Sequence, residues 1–154
     1  MAEEFASGDY DVLLGVATPA VQALLTAVSD KPILGTAVTD YVSAGLVASN
    51  EAPGANLTGT SDMNPVDKQI DLLMQLVPDA KTIGVLYTSS EVNSEIQAKM
   101  AEQEAARYSL GVVTKTISAV GEVQQAVESL VGQVDALYIP TAVSYTHLTL
   151  PTIR

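Results

Sequence analysis

Short apolar runs alternate along this chain with amphipathic stretches, and this alternation constrains the fold more than any other feature. The run DVLLGVA (Asp11 to Ala17) is bounded by turn-forming residues, as expected of a strand that is buried on both faces. In the stretch TPAVQALLTAV that follows, Thr18 is a good N-cap and Pro19 suits the first helical position. A second apolar strand comes next, at Lys31 to Asp40. The order of strand, helix and strand predicts a βαβ unit with a parallel sheet.

The segment from Ser49 to Pro65 is rich in Gly, Pro, Asn and Ser, and it predicts a domain boundary. Within it, only NLTGT can form a short extended segment. A second α/β half is predicted beyond this boundary. Its helices are expected at Pro65 to Val77, Val92 to Tyr108 and Glu122 to Gly132, and its strands at Lys81 to Thr88, Val112 to Ser118 and Asp135 to Thr141.

The composition narrows the class of protein. The chain has 154 residues, of which 47% are hydrophobic, and this is enough for a sizeable core. Seven Lys and Arg residues against 18 Asp and Glu residues give a formal net charge of −11, which disfavours nucleic acid and anionic membranes as partners. No Cys is present, and no apolar run approaches the ~20 residues that span a bilayer. We therefore expect a soluble globular chain.

Polar residues follow four of the predicted strands, in the stretches ATPA, TAVTD, YTSSEVNS and YIPT. In open parallel sheets, ligands bind beyond the carboxyl ends of the strands, where helix N-termini offer N–H groups and a partial positive charge. The hydroxyl group of Thr18, with the free amides of Ala20 and Val21, could hold a ligand carboxylate. The alternative is that Thr18 only caps its helix.

The other strand ends leave similar alternatives open. Asp40 could accept a hydrogen bond from a ligand ammonium group, or it could only form a turn. Glu91, Asn93 and Ser94 could contact a polar ligand, although an acidic residue in a first helical turn is ordinary.

Signatures of catalysis are missing from the sequence. It contains no GxSxG, no phosphate loop, no GxGxxG after a strand and no HExxH. The single His, His147, lies in a stretch that breaks the alternation. We therefore predict a protein that is not an enzyme and that uses no cofactor and no metal.

The chain resembles the substrate-binding proteins of ABC transporters, in the branch that includes tryptophan-, tyrosine- and phenylalanine-binding members. The resemblance is carried by VATPAVQALLTAVSDKPILGTAVTDYVSAGLV, by NLTGTSDMNPVDKQIDLLMQLVPDAKTIGVLYTSSEVNS and by EVQQAVESLVGQVDALYIPT. These stretches stand in family order, and the resemblance that they carry extends from Asp9 to Thr141. One residue departs from the family pattern, since Thr60 stands within the stretch that corresponds to GVSDM.

The resemblance implies an α/β, two-lobed type I periplasmic-binding fold, in which the lobes close like a hinge on a small ligand. The parent protein would be extracytoplasmic, would deliver an amino acid, with aromatic ones among the candidates, to a membrane permease, and would be monomeric. We expect residues 1–57 and 58–141 to form incomplete first and second lobes, with a hinge at about 56–62. The residues that the resemblance and the strand ends place at the ligand are Thr18, Pro19, Ala20, Thr39, Asp40, Ser61, Asp62, Glu91, Asn93, Ser94 and Thr141.

The last residues do not continue the family pattern. The stretch from Val143 to Thr152 resembles the in-frame translation of a transposase sequencing adapter. We therefore expect residues 142–154 to be a non-native tail and the rest to be an interior fragment of a solute-binding protein.

Two other classes of protein stay open at this point. A ligand-sensing domain of a transcriptional regulator or receptor would share the fold. A flavodoxin-like or Rossmann-like enzyme is disfavoured by the missing phosphate loop and imidazole.

Overall fold

The computed structural model describes residues 2–142, and these form two compact units that divide between Asn64 and Pro65. The first unit contains α1 (Ala2–Ser7), β1 (Leu13–Val16), α2 (Thr18–Ala27), β2 (Ile33–Val38) and β3 (Leu57–Ser61). The second contains α3 (Val66–Leu76), β4 (Thr82–Thr88), α4 (Val92–Arg107), β5 (Gly111–Ile117), a short 3-10 turn (Val120–Glu122), α5 (Val123–Leu130) and β6 (Ala136–Tyr138).

The sheet of the first unit is parallel, with strand order β1-β2-β3. Helix α2 packs on one face of it, because Val21, Leu24 and Val28 recur at helical spacing and are buried together with Leu13 and Ile33. Gly15 allows this close approach, since a Cβ built there would lie 2.7 Å from the Val21 side chain.

Strand β1 is buried on one face only. Leu13 is 4% exposed, whereas Leu14 and Val16 are 61% and 57% exposed. Alternate residues of a strand point to opposite faces, and α2 covers the face that carries Leu13. The prediction that this strand is buried on both faces was therefore wrong for the described part of the chain.

The sheet of the second unit is also parallel, with strand order β5-β4-β6. The central strand β4 is covered on both faces, and Ile83, Val85 and Leu86 are 0% exposed. Ile83 and Val85 share a core with residues of α3 and α4, while a Cβ at Gly84 would come within 3.3 Å of Leu130 in α5. Near-continuous apolar sequence is typical of a parallel strand in this position.

Asp135 fixes the start of β6 to the start of β4. Its carboxylate accepts hydrogen bonds from the backbone N–H groups of Lys81 and Thr82, at 2.8 and 2.9 Å. These two bonds lower the pKa of Asp135. The backbone N–H of Asp135 in turn donates to the carbonyl of Thr82.

The predicted order of elements is confirmed, with differences at the boundaries. The segment NLTGT, expected to be at most a short extended piece, is strand β3 of the first sheet. Thr18 is the first residue of α2, and Ala17 occupies the N-cap position without a side-chain hydrogen bond. A 3-10 turn precedes α5.

The predicted lobes, at 1–57 and 58–141, and the hinge at 56–62 stay predictions. Ala142, in the predicted tail, is 7% exposed. Residues 143–154, including His147, lie outside the described part of the chain, so their non-native origin also stays a prediction. Among residues 2–142, no helix is long and apolar enough to cross a membrane.

Candidate functional site

Two clusters of polar groups lie at the carboxyl ends of the strands, one in each unit. The first cluster consists of Ala17, Thr18, Thr39, Asp40, Ser61 and Asp62, beyond β1, β2 and β3. The second cluster consists of Thr88, Glu91, Asn93, Ser94, Gln97 and Thr141, beyond β4 and β6. We describe each within its own unit.

The backbone turns sharply between β1 and α2. Ala17 has φ 76° and ψ 152°, a region that residues with a Cβ rarely occupy. The N–H groups of Ala20 and Val21 both donate to the carbonyl oxygen of Ala17, at 3.1 Å. The prediction that these two amides are free for a ligand carboxylate was therefore wrong.

Thr18 is buried and its hydroxyl group has no partner. The residue is 2% exposed, and Oγ1 makes no hydrogen bond in the structure. It does not cap α2, so the simplest structural role that the sequence allowed is not the one observed. Leaving such a group unpaired costs about 1–3 kcal/mol, so Thr18 is a candidate ligand contact. Pro19 and Ala20 follow it and are exposed.

Asp40 forms a turn just beyond β2, one of the two roles that the sequence left open. Its Oδ1 accepts hydrogen bonds from the N–H groups of Val42 and Ser43, each at 3.0 Å, and Ser43 Oγ donates to Oδ2 at 2.8 Å. Burial raises the pKa of this carboxyl, but the hydrogen bonds from Ser43 and Val42 outweigh burial and hold the pKa below its ordinary value.

Ser61 joins the end of β3 to the end of β2. Its hydroxyl donates to the carbonyl of Thr39 at 2.6 Å and accepts from the N–H of Met63 at 3.1 Å. The N–H of Asp62 donates to the carbonyl of Val38 at 3.0 Å. Thr39 is buried, whereas Asp62 is exposed, so the polar groups of β2 and β3 are largely satisfied within the unit.

The buried side chain of Tyr41 contacts strand β3. Its hydroxyl donates to the carbonyl of Thr60, and a Cβ at Gly59 would collide with this hydroxyl at 2.2 Å. Burial raises the pKa of Tyr41, and the charge of Asp62 adds to the effect. A cavity of about 150 Å³ beside Tyr41 and Leu57 is not lined by any unpartnered buried oxygen.

Three side chains of α4 converge on one carbonyl in the second cluster. Asn93 Nδ2, Ser94 Oγ and Gln97 Nε2 lie 3.1, 3.3 and 3.3 Å from the carbonyl oxygen of Thr141. The three residues are 5%, 0% and 1% exposed. The structure therefore brings together three of the predicted site residues, Asn93, Ser94 and Thr141.

Thr88 and Gln97 belong to this cluster and were missed from the sequence. Gln97 stands four residues after Asn93 and is buried beside Ala98, so a polar residue on the inner stripe of α4 was the available signal. Thr88 is the last residue of β4 and is 0% exposed. Its position at a strand end was visible, but its burial was not.

Glu91 lies just before α4 and is 6% exposed. Its carbonyl accepts hydrogen bonds from the N–H groups of Ser94 and Glu95, which starts the helix. Glu91 is therefore not an ordinary solvated residue of a first turn. Glu95 fills that role, and its carboxylate pairs with Lys99 at 2.6 Å.

Unpartnered buried oxygens mark both clusters. In the described residues they are Thr18 Oγ1 in the first cluster and Thr88 Oγ1, Asn93 Oδ1 and Gln97 Oε1 in the second. Buried polar groups in folded proteins nearly always have partners, so these four residues are the candidates for contact with a ligand. No group of three or more potential metal ligands occurs in residues 2–142.

In open folds of parallel sheets, small ligands bind beyond the carboxyl ends of the strands, where both clusters lie. The family model described as ABC transporter substrate binding protein matches residues 1–151, and the chain belongs to this family. The family consists of substrate-binding proteins and not of enzymes, and it works with ABC transporters, generally outside the cytoplasm.

Two relatives are described with an aromatic amino acid. A tyrosine-binding protein of Clostridioides difficile is 48% identical over 141 residues, which are 92% of this chain and 41% of the relative. An ABC domain from Streptococcus pneumonia, solved in complex with L-Trp, is 36% identical with a TM-score of 0.91, over 94% of this chain and 49% of that one.

A second solved structure, a conserved domain protein from Vibrio cholerae, is 38% identical with a TM-score of 0.86, over 89% of this chain and 46% of that one. The predicted fold class is thereby confirmed. The chain spans about half, or less, of the length of the relatives that it matches.

Proposed function

We propose that this chain belongs to the solute-binding component of an ABC importer, which binds an amino acid and delivers it to a membrane permease. The protein acts outside the cytoplasmic membrane as a monomer and carries out no covalent chemistry. The ligand-contacting residues are those of the two clusters, with Pro19 and Ala20 beside Thr18.

The observation that carries the proposal is the set of unpartnered buried oxygens. They lie on Thr18 and Thr88, at the ends of β1 and β4, and on Asn93 and Gln97, which bond to the Thr141 carbonyl beyond β6. Each costs about 1–3 kcal/mol while it stays unpaired, and a polar ligand offsets that cost when it binds. A surface built only for packing would favour apolar side chains at these positions.

The relatives support an amino acid as the ligand class. One is named for tyrosine, and another was solved with L-Trp. Both ligands combine a charged amino-acid group with an apolar ring, so their sites need polar groups at one end and apolar walls at the other. The polar groups of the two clusters supply the first requirement.

A thermal-shift measurement on the purified protein tests the proposal. A panel of the common L-amino acids is added one at a time over a range of concentrations. At least one, with L-tyrosine and L-tryptophan first in line, is expected to raise Tm, since a ligand that binds only the native state stabilises it by RT ln(1 + [L]/Kd). The rise should grow with concentration. If no amino acid raises Tm, the ligand class is wrong.

A further inference from the structure

The second cluster holds more hydrogen-bond acceptors than its own donors satisfy. We propose that the missing partner is an ammonium group on the ligand, and that Gln97 makes the site specific for it. This inference rests on the proposed function, since it assigns one part of the ligand to one part of the site.

The amide groups of Asn93 and Gln97 are oriented by a shared contact. Both nitrogens donate to the carbonyl oxygen of Thr141, at 3.1 and 3.3 Å. A carbonyl oxygen only accepts, so the nitrogens face Thr141 and the two amide oxygens are left as acceptors. Neither oxygen has a partner in the structure. Two amides on one helix face, held by one carbonyl, thus present two acceptors in the same region.

A third unpartnered buried oxygen lies on Thr88, the last residue of β4. Its residue is 0% exposed, and its hydroxyl is also unpartnered. The three oxygens are screened from bulk water, so their partner is either an ordered water or a group of the ligand, and the inference assigns a group of the ligand. An ammonium group carries three donors and no acceptor, which suits amide oxygens that can only accept. A carboxylate would set acceptor against acceptor and leave the cluster unsatisfied.

The start of α4 would by itself favour an anion, because its dipole is positive there. Two carboxyl groups already lie at this end, on Glu91 just before the helix and on Glu95 in its first turn. The N–H groups of Ser94 and Glu95 donate to the carbonyl of Glu91, at 3.0 and 3.2 Å. Two of the N–H groups at this end are thus engaged, and the Glu95 carboxylate is paired with Lys99, so the unpartnered amide oxygens decide which group of the ligand fits here.

The test compares ligands with and without the amino group. Binding of L-tyrosine and L-tryptophan, each beside its desamino counterpart, is measured by titration calorimetry on the wild type and on Gln97→Leu. The wild type should bind one of the amino acids at least about 10-fold more tightly than the desamino compound, because a hydrogen bond to a charged group contributes the equivalent of about 10- to 100-fold in affinity. Gln97→Leu should lose most of this preference, with the desamino affinity nearly unchanged.

Three control variants separate recognition from positioning. Gln103→Leu makes the same change at an exposed position of α4 and should alter neither affinity. Gln97→Glu keeps acceptor oxygens but loses the donor to Thr141, and Ser94→Ala removes another donor to Thr141 while leaving every unpartnered oxygen in place. Both should keep the preference for the amino acid. Thermal unfolding without ligand shows that each variant is folded.

The outcomes distinguish failure of this inference from failure of the proposed function. Equal binding of amino and desamino ligands by the wild type would overturn the ammonium assignment and leave ligand binding intact. If Ser94→Ala abolishes the preference as fully as Gln97→Leu, Gln97 acts only through Thr141 and is not the specificity residue. If Gln97→Leu changes neither affinity, a buried water satisfies these oxygens and the inference is wrong. Absence of binding by any ligand removes the proposed function and this inference together.

Discussion

The two clusters differ in where their polar groups, which lie at the ends of parallel sheets, find hydrogen-bond partners. In the first cluster, Asp40 is satisfied by residues two and three positions later, and Ser61 bonds to the neighbouring strand end at Thr39. In the second cluster, side chains of α4 reach a carbonyl 44 to 48 residues away. The first cluster leaves one buried oxygen unpartnered, whereas the second leaves three. The convergence of three donors on one carbonyl thus accompanies more unpartnered acceptors than the turn and the strand-to-strand bonds of the first cluster do.

The two units should differ most in how much a leucine side chain of a strand contributes to the free energy of unfolding. Leu86→Ala in β4 removes a side chain that is 0% exposed, and we expect a loss of about 2–5 kcal/mol in the free energy of unfolding. Leu14→Ala in β1 makes the same change at a side chain that is 61% exposed, and its effect should stay within about 0.5 kcal/mol. Urea denaturation of both variants measures this. Similar losses for the two would mean that β1 is covered in solution, contrary to the structure.

The turn at Asp40 should make an intermediate contribution to the free energy of unfolding. Asp40→Ala removes hydrogen bonds from Val42 and Ser43, and we expect a loss of about 0.5–2 kcal/mol at neutral pH. The folded pKa of Asp40 lies below its ordinary value of 3.8, so the stabilisation is present above that value and is lost as the pH falls through the folded pKa.

Urea denaturation of the wild type and of Asp40→Asn, at neutral pH and near pH 3, checks the pH dependence. The gap between the two proteins should narrow in acid. A gap that is constant or wider in acid would show that the carboxylate is not the stabilised species.

The smallest predicted effect is an increase in the stability of the ligand-free protein. Thr18→Val and Thr88→Val each replace an unpartnered buried hydroxyl by a methyl group of similar volume, so the ligand-free protein should become more stable by up to about 1 kcal/mol. Thr26→Val is the matched control, because Thr26 is an exposed helix residue whose hydroxyl is already bonded to the Gln22 carbonyl. Thermal unfolding without amino acid measures the change in stability. Thermal unfolding with amino acid measures the rise in Tm that the ligand produces.

The same hydroxyl variants compare the clusters directly. Both Thr18→Val and Thr88→Val should reduce the rise in Tm that the ligand produces, since each removes a proposed ligand contact. If only Thr88→Val does so, the second cluster alone contacts the ligand. Destabilisation of the ligand-free protein by either variant would mean that its hydroxyl has a partner in solution.

The sequence predicted what depends on neighbouring residues. Apolar runs and helix signals located the elements, and the turn at Asp40 was one of its two stated roles because an Asp side chain reaches the next backbone amides. The sequence did not reveal that Ala17 accepts from the amides of Ala20 and Val21, because this depends on an unusual backbone conformation.

Long-range contacts set the limit of the sequence prediction. Asn93, Ser94 and Thr141 were expected near the ligand, but their mutual contact depends on where β6 pairs with β4. Gln97 and Thr88 were missed because burial is decided by that packing and not by local pattern. Strand β3 was underestimated for the same reason, since pairing with β2 makes a strand of a segment with little apolar character.

The span between α4 and Thr141 also has a consequence for synthesis on the ribosome. Asn93 is separated from its partner carbonyl by 48 residues, which take roughly 2–10 s to translate at about 5–20 residues per second. During that interval the bonds of Asn93 and Ser94 to the Thr141 carbonyl cannot form, whereas the first unit can complete its strand-end hydrogen bonds as soon as Ser61 and Met63 have emerged. The cluster with the most unpartnered oxygens thus acquires its native contacts later than the first cluster does.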